Sequence, residues 1–290
     1  KYIMLFERKS LAVFMENKFE LIDKVKQIRT KSNGVPTISV GVGVGANLKE
    51  SNNSALAALD LALGRGGDQA VIKEKQGYKF YGSGLRVTEK RAKVRSRIFA
   101  SALRNLMEQC ENIVIMGHTV PDLDCVGAAL GISACARYVG KKPKIVLEKS
   151  NASVDTLIEE VKTVPEYADC FINGLEAEKL LESDRSMLII VDTQIKTYTS
   201  TPYLVDKAKT LVIIDHHLKG TAWIDNAAIT FLETNASSAS EMAVETIQYF
   251  SEKIKLLPIE AQGLLAGIII DTKGFTFKTG VRTFEAASYL

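Results

Sequence analysis

The stretch GHTVPDLD places a histidine and two aspartates, His118, Asp122 and Asp124, within seven residues. The whole chain contains only three histidines, and the other two, His216 and His217, stand side by side. Imidazole and carboxylate groups at such short spacing bind divalent metal ions or transfer protons. The sequence therefore predicts a metal site or an acid–base site that includes these residues.

Further polar residues follow short apolar runs that are rich in isoleucine and valine. The runs are NIVIMGH, PKIVLEK, SMLIIVDT, TLVIIDHH and LLAGIIIDT. Their composition is typical of strands that are buried on both faces of a parallel sheet. The polar residues at the ends of these runs are His118, Asp192, Asp215 to His217, and Asp271. Because ligands bind outside the carboxyl ends of the strands in open α/β sheets, we expect these residues to converge on one crevice.

The donor set is rich in oxygen, with one or two imidazoles and no thiolate. This mixture favours Mn²⁺ over structural zinc, with Mg²⁺ or Co²⁺ as alternatives. Two metals about 4 Å apart would need a shared carboxylate, and such a pair suits water attack on phosphorus. We expect Asp192 to be the bridge, because its strand is central among the predicted strands.

Two alternatives compete with the metal site. An aspartate at a strand end is often the N-cap of the next helix, and this explanation would suffice for each aspartate alone. A histidine–aspartate pair could also do acid–base chemistry without metal. That second alternative leaves four mutually repelling carboxylates without a compensating charge.

The residues before the first of these runs follow a different pattern. We predict a strand in KYIMLF, a helix over 8–28, a strand in PTISVGVGV, a helix over 54–63 and a β segment in AVIKEK. Leucine and isoleucine then recur at helical spacing below a basic face, which predicts a connecting helix over 85–111. The basic face is read as a solvated surface, with phosphate contact as the alternative. The chain is thus expected to have an α/β fold in two parts.

Composition restricts the class of protein further. A net charge of +3 and a pI of about 8.5 are too weak to indicate binding of long nucleic acid. The apolar runs are far shorter than the roughly 20 residues of a membrane span. Four cysteines without a CxxC motif predict free thiols in a reducing compartment, the cytoplasm. The first residue is Lys1 rather than methionine, so we expect these residues to be part of a longer chain.

The motifs HTVPDLD, VDT, DHH and GIIIDTKGF, in this order, resemble those of the DHH phosphoesterases. PTISVGVGVG followed by ALAALDLALGRGGDQAVIK resembles the latter part of a degenerate GGDEF domain. The two together are similar to the GdpP/YybT-type cyclic-di-AMP phosphodiesterases. The resemblance implies a GGDEF-like α/β domain over 1–84, the connecting helix over 85–111, and a DHH-type α/β domain with a mainly parallel sheet over 112–290.

The resemblance also implies roles for single residues. It assigns one Mn²⁺ to His118, Asp122 and Asp192, and a second Mn²⁺ to Asp124, Asp192, His216 and Asp271. His217 would stand beside the scissile phosphate, with Asp215 orienting its neighbours, and we expect Arg282 to contact substrate phosphate. These families carry a further lobe, DHHA1, which grips the substrate. We expect that lobe to lie beyond Leu290, so that these residues alone would turn over substrate slowly.

The activity implied by the resemblance is Mn²⁺-dependent hydrolysis of cyclic-di-AMP to linear pApA. The alternatives are another DHH activity, namely nanoRNA or pAp hydrolysis or pyrophosphatase, and a nucleotide-sensing module without catalysis. We expect no cyclase activity, because the GGDQA stretch follows a helix instead of lying on a hairpin. The expected partner is a cyclic dinucleotide. We expect these residues to make no membrane contact and the longer parent protein to be anchored in a membrane. Formation of a homodimer is left open.

Overall fold

The structure is a computed structural model that describes residues 2–28, 36–64, 67–74, 77–82, 85–218 and 222–290, the side chains of 64 and 85–92 excepted. The described chain divides into two compact units, residues 1–88 and 89–290. The predicted bounds of the two functional domains and the connecting helix stay predictions. The predicted α/β class with a mainly parallel sheet is confirmed.

The first unit is a small α/β layer. Its elements are α1 (Arg8–Glu16), α2 (Leu21–Lys26), β1 (Val40–Gly43), α3 (Leu48–Gly64), β2 (Gln69–Glu74) and β3 (Gly77–Gly82). Strands β1 and β2 are parallel, and β2 and β3 form an antiparallel pair. The glycines of β1 are explained by packing, because a Cβ at Gly41 or Gly43 would collide with the backbone of α3.

Two predictions in this unit are wrong. Residues Tyr2 to Phe6 form no strand and are exposed. The helix predicted over 8–28 is broken, because Lys18 and Phe19 adopt positive φ angles of 48° and 54°. The break turns the Phe19 ring into the core, where it is 3% exposed and stacks on Phe14. Burial of a phenyl ring contributes roughly 2 kcal/mol, which offsets much of the cost of two left-handed residues, about 1–2 kcal/mol each.

The GGDQA stretch follows a helix, as predicted. Helix α3 ends at Gly64 and β2 begins at Gln69, with Gly67 and Asp68 in a bend between them. Gly66 lies outside the described residues. The stretch is therefore the connection from a helix to a strand rather than the tip of a hairpin.

The second unit contains a six-stranded, wholly parallel sheet of order β6-β5-β4-β7-β8-β9. The strands are β4 (Asn112–Met116), β5 (Lys144–Val146), β6 (Phe171–Ile172), β7 (Ser186–Val191), β8 (Thr210–Asp215) and β9 (Ile229–Leu232). The helices are α4 (Leu85–Gln109), α5 (Leu123–Tyr138), α6 (Asp155–Thr163), α7 (Gly174–Leu181), α8 (Leu204–Lys207), α9 (Ala239–Phe250), α10 (Pro258–Asp271) and α11 (Val281–Tyr289). The predicted strands β4, β5, β7 and β8 are present, and α4 covers most of the range predicted for the connecting helix.

Helices cover both faces of this sheet. Alternate residues of β4, β7 and β8 pack with α4, α5, α9 and α10 on one face and with α7 and α8 on the other. Burial on both faces explains why these strands are continuous apolar runs. Strands β4 and β7 are the two central strands, so the residues that follow them adjoin at one edge of the sheet.

The strand predicted in LLAGIIIDT is wrong, because this run is the end of helix α10. Pro258 occupies the first turn of the helix, where its missing N–H needs no partner. Residues such as Leu264 and Ile268 are fully buried at helical spacing. A buried helix and a buried strand have the same composition over so few residues, and only length and the flanking proline separate them.

Among the described residues, no helix is long and apolar enough to span a membrane.

Candidate metal centre

The centre begins where the two central strands end. His118 lies two residues beyond β4, and Asp192 directly follows β7. The Nε2 atom of His118 is 3.2 Å from Oδ2 of Asp192 and 3.7 Å from Oδ1 of Asp122. Asp122 is also the N-cap of α5, because its Oδ1 accepts hydrogen bonds from the backbone N–H groups of Asp124 and Cys125. The capping explanation and the site explanation therefore both hold for Asp122.

Asp192 is the central residue of the cluster. Its φ angle of 60° lies in the left-handed region, which aspartate tolerates better than most residues. Its side chain is 3% exposed. While Oδ2 faces His118, Oδ1 lies 3.3 Å from Nε2 of His216 and 3.7 Å from Nδ1 of His217. One carboxylate thus faces all three histidines of the chain.

A second group of side chains surrounds His216. Its Nε2 is 3.3 Å from Oδ2 of Asp271 and 3.8 Å from Oδ2 of Asp124. His216 and Asp124 are buried, and the side chain of Asp271 is 26% exposed. Asp124, His216 and Asp271 each offer a ligand atom within 4.8 Å of the others. The structure therefore brings the six predicted ligands together, although Asp271 arrives from a helix end and not from a strand end.

Close packing of α10 on α5 carries Asp271 to the cluster. The two helices approach at glycines, and a Cβ added at Gly267 would lie 2.8 Å from Cα of Asp124 and would also collide with Oγ of Ser240. No residue with a side chain fits at that point without a shift of α10. Gly267 precedes Asp271 by four residues, about one helical turn, so the same close approach places the Asp271 carboxylate beside His216.

The amino-terminal end of α9 holds Asp124 in place. The backbone N–H of Ala239 donates to Oδ2 of Asp124 at 2.7 Å, and that of Ser240 donates to Oδ1 at 2.8 Å. The side chain of Ser238 caps the same helix by accepting from the N–H of Glu241. A carboxylate at a helix amino terminus meets unpaired donors and the positive end of the helix dipole.

Burial and crowding shift the acidity of the carboxyl groups. Burial, with the neighbouring Asp192 carboxylate, raises the pKa of Asp124 to about 8. Burial also raises the pKa of Asp271 to about 6, assisted by Asp192 and Asp122. Burial alone would raise the pKa of Asp192, but His118 and His216 lower it to about 2.

The two inner histidines shift in the opposite sense to burial. Burial would lower their pKa values, yet the carboxyl groups of Asp122 and Asp192 raise the pKa of His118 to about 10. Asp192, Asp124 and Asp271 raise the pKa of His216 to about 9. The two imidazoles thus stay protonated and balance the negative charge of the carboxylates around them. A bound cation would supply the same positive charge.

The residues present fit a divalent metal ion. Among the described residues, Oδ1 of Asp192 and both ring nitrogens of His216 are buried without a hydrogen-bond partner. Buried polar atoms of this kind normally have a partner, and a metal ion would provide one. Carboxylate oxygens with imidazole nitrogens suit Mn²⁺, Mg²⁺ or Co²⁺. Which side chains bind metal, and how many ions bind, stay predictions.

The second histidine of the pair has a different environment. Nδ1 of His217 lies 2.8 Å from Oδ1 of Asp215, and the His217 side chain is 59% exposed. The hydrogen bond to Asp215 raises the pKa of His217. Because Asp215 accepts the hydrogen bond from Nδ1–H, Nε2 is left to face a ligand. The orienting role of Asp215 stays a prediction.

Arg282 does not have the environment expected from the sequence. It is 7% exposed, and its Nε and Nη2 atoms donate to the two carboxylate oxygens of Glu245 at 2.5 and 2.6 Å. Glu241 lies 3.9 Å from the same guanidinium. The group is thereby neutralised inside the protein, so we assign Arg282 a structural role and no longer expect it to contact substrate phosphate.

Two residues near the cluster were not predicted from the sequence. The Sγ atom of Cys125 lies within 4.8 Å of possible ligand atoms of His118 and Asp192. Burial raises the pKa of its thiol well above the usual value, so the sulfur stays protonated. Gln194, two residues after Asp192, hydrogen bonds to Asp215. Its position in VDTQ was the available signal.

Comparison with known proteins agrees with the predicted resemblance. The chain is 41% identical over 295 residues to the cyclic-di-AMP phosphodiesterase GdpP of Bacillus subtilis, covering 100% of this chain and 44% of that protein. It is 35% identical over 296 residues to the cyclic-di-AMP phosphodiesterase PdeA of Listeria monocytogenes, covering 100% of this chain and 45% of that protein. The chain thus spans less than half the length of these relatives.

Among solved structures, an exopolyphosphatase-related protein from Bacteroides fragilis is similar in fold. The two superpose with a TM-score of 0.56 and 20% sequence identity, over 65% of this chain and 54% of the other. At this identity the similarity concerns the fold and not the substrate.

Family models assign both parts of the chain. The GGDEF domain of the GdpP-like cyclic-di-AMP phosphodiesterases matches residues 1–80. The N-terminal domain of the DHH family matches residues 112–268, more than half of the chain and all the clustered side chains except Asp271. The resemblance stated from the motifs is confirmed, and the chain belongs to the DHH family.

Proposed function

We propose that this chain is the catalytic DHH portion, with its GGDEF-like companion, of a phosphodiesterase that hydrolyses cyclic-di-AMP to linear pApA. The observation that carries the proposal is the buried cluster of carboxylates and imidazoles whose inner atoms lack hydrogen-bond partners. The relatives named as cyclic-di-AMP phosphodiesterases share both parts of the chain, which supports this substrate over others.

The proposed cofactor is a pair of Mn²⁺ ions, with Mg²⁺ or Co²⁺ as substitutes. One ion would be held by His118, Asp122 and Asp192, and the other by Asp124, Asp192, His216 and Asp271. One carboxylate oxygen of Asp192 faces His118 and the other faces His216, which supports the role of Asp192 as the shared ligand. When bound, the ions supply a nucleophile at neutral pH and neutralise charge on the phosphate.

The remaining residues act on the substrate directly. Asp215 accepts the hydrogen bond from Nδ1–H of His217 and raises its pKa, which favours the imidazolium, and the exposed ring then has an Nε2–H to donate to a phosphate oxygen. Through that atom His217 binds the scissile phosphate and stabilises negative charge that develops on it. Asp124 and His216 are buried, and so the protein around them excludes water from the inner side of the cluster.

Turnover measurements separate this function from its alternatives. Cyclic-di-AMP, pApA, pAp, short RNA and pyrophosphate are each incubated with Mn²⁺ and the 290-residue chain, and also with a full-length counterpart. We expect pApA to accumulate from cyclic-di-AMP only when the metal is present. Preferred cleavage of pApA, pAp, short RNA or pyrophosphate would indicate another DHH activity, and binding without turnover in both proteins would indicate a sensing module.

Two variants provide the control for that experiment. Asp192→Asn removes the proposed shared ligand and should abolish turnover. Asp206→Asn removes a surface carboxylate that pairs with Lys196, and it should leave turnover unchanged. Equal activity of the two variants would contradict the proposed centre.

For the GGDEF-like part we propose a scaffolding or regulatory role without cyclase activity. Incubation with GTP and Mg²⁺ should give no cyclic-di-GMP, and altering Asp68 of GGDQA should leave hydrolysis of cyclic-di-AMP unchanged. Chromatography of the products measures both outcomes. Cytoplasmic location, membrane anchoring of a longer parent and the oligomeric state stay predictions, which cell fractionation and light scattering would test.

A further inference from the structure

The buried side chain of Gln194 contacts three atoms of the segment that carries His217. Its Nε2 lies 2.9 Å from Oδ2 of Asp215, 3.1 Å from the backbone oxygen of His217 and 3.3 Å from that of Leu218. Gln194 is 3% exposed, and its own backbone oxygen accepts a hydrogen bond from the N–H of Ile224. One side chain therefore hydrogen bonds to three residues of the segment 215–218.

The surroundings of this position favour a donor group. A carboxylate oxygen and two carbonyl oxygens surround the amide, and none of them carries a hydrogen atom. The orientation of the amide is fixed by these partners, because the opposite orientation would place its oxygen against three acceptors. Unpaired acceptors at such a buried place are unfavourable, so Gln194 has a specific polar function there.

The contacts leave Asp215 with both oxygens occupied. Oδ2 accepts from Gln194, while Oδ1 accepts from the ring Nδ1 of His217 and, at 3.3 Å, from its backbone N–H. The carboxylate can neither rotate nor release the imidazole without losing a hydrogen bond. Gln194 also holds the peptide oxygen of His217 itself, so the ring and the backbone of this residue are fixed by the same amide.

We propose that Gln194 is a positioning residue that fixes the direction of the His217 imidazole through Asp215 and through the backbone at His217 and Leu218. The proposal rests on the proposed function for its kinetic consequence, because His217 is there assigned to the scissile phosphate. Its structural consequence, a fixed imidazole, holds whatever the substrate is. The two consequences are tested separately.

The kinetic test uses Gln194→Met, which keeps the length of the side chain and removes the donors. Loss of an orienting partner of this kind typically lowers activity by about 10–100-fold. We expect such a fall in kcat for cyclic-di-AMP, with KM and the number of bound Mn²⁺ ions unchanged. Gln194→Asn, which retains the amide but is one methylene shorter, should fall between Gln194→Met and the parent chain.

A double-mutant cycle with His217→Ala identifies the path of the effect. If Gln194 acts through His217, Gln194→Met should cause no further loss when His217 is already alanine. The matched control is Gln262→Met, the same change at an exposed glutamine that donates to Glu160. A further loss of equal size in the His217→Ala background would overturn the proposal, since the effect would then be a general one on folding.

The structural test does not depend on any activity. The three histidines of the chain all lie at the cluster, so selective ¹⁵N labelling of histidine gives a spectrum with only three imidazoles. In the metal-free protein at one fixed pH, Gln194→Met should move the Nδ1 signal of His217 and leave that of His118 in place. Gln262→Met should move neither. An unmoved His217 signal in folded Gln194→Met would overturn the proposal even if cyclic-di-AMP proves not to be the substrate.

Discussion

Gly267→Ala tests whether close packing of two helices builds the metal centre. The added Cβ would lie 2.8 Å from Cα of Asp124, and an ordinary contact begins at 3.4 Å, so α10 must retreat by about 0.6 Å, the difference between the two. Asp271 lies one turn further along the same helix and would move with it. A ligand set tolerates displacements of only about 0.5 Å.

The expected magnitudes follow from two opposing effects. Overpacking costs about 1–3 kcal/mol, and alanine is better than glycine by about 1 kcal/mol within a helix. We therefore expect the free energy of unfolding of the metal-free protein to fall by about 1 kcal/mol, or about 2–4 °C in Tm. The Kd for Mn²⁺ should rise by about tenfold, because the displaced Asp271 carboxylate loses about 1.4 kcal/mol of binding free energy.

Calorimetry of unfolding and titration with Mn²⁺ measure the two quantities on the same preparation. The matched control is Gly131→Ala, at the same helix pair, where the added Cβ would meet the end of the Leu264 side chain at 2.7 Å. That contact involves the end of a flexible side chain and no proposed ligand, so Mn²⁺ affinity should be retained. If Gly267→Ala binds Mn²⁺ as tightly as the parent chain, α10 does not carry Asp271 as a rigid body and the reasoning is refuted.

Three further predictions follow from the site. Asp192→Asn should lower the number of bound Mn²⁺ ions measured by metal analysis, whereas Asp124→Asn should empty mainly one site; full occupancy in Asp192→Asn would contradict the shared ligand. The raised pKa of Asp124, about 8, means that the native metal-free protein binds more protons than the unfolded chain. Its stability should fall as pH rises from about 4 through 8, and the rise in Tm caused by Mn²⁺ should be larger at pH 8.5 than at pH 5.5, in thermal scans; a rise that shrinks with pH would show that metal and protons do not compete. Arg282→Met should leave the carboxylate of Glu245 buried without its cationic partner, and it should lower the unfolding free energy by about 3 kcal/mol in chemical denaturation, with Mn²⁺ affinity retained. A selective loss of substrate affinity instead would restore the role predicted from the sequence.

Much of the centre could be predicted because most of its residues lie at the ends of strands. In β4, β7 and β8, isoleucine and valine runs stop at a histidine or an aspartate, and parallel strands bring such ends together. Neither the family motifs nor the strand pattern requires knowledge of side-chain contacts to be identified. Local sequence determines this part of the fold, and so it could be predicted.

The residues that were placed wrongly depend on tertiary contacts. The apolar run before Asp271 is a helix because α5 offers glycines against which a second helix can lie, and composition alone does not show that. Arg282 is enclosed by Glu245 and Glu241, whose burial no spacing rule reveals. The segment Tyr2 to Phe6 has strand-forming residues, yet a strand needs a neighbour with which to pair.

The hydrogen bonds from the first turn of α9 to Asp124 connect a helix end to a proposed metal ligand. The first turn of a helix normally frays, and its amides then exchange with solvent. Here the amides of Ala239 and Ser240 can exchange only when their hydrogen bonds to the carboxylate of Asp124 break. An ion that holds the carboxylate in place therefore slows hydrogen exchange at two backbone positions more than one hundred residues away in sequence. Hydrogen exchange at those two amides would therefore report whether an ion is bound at Asp124, as proposed.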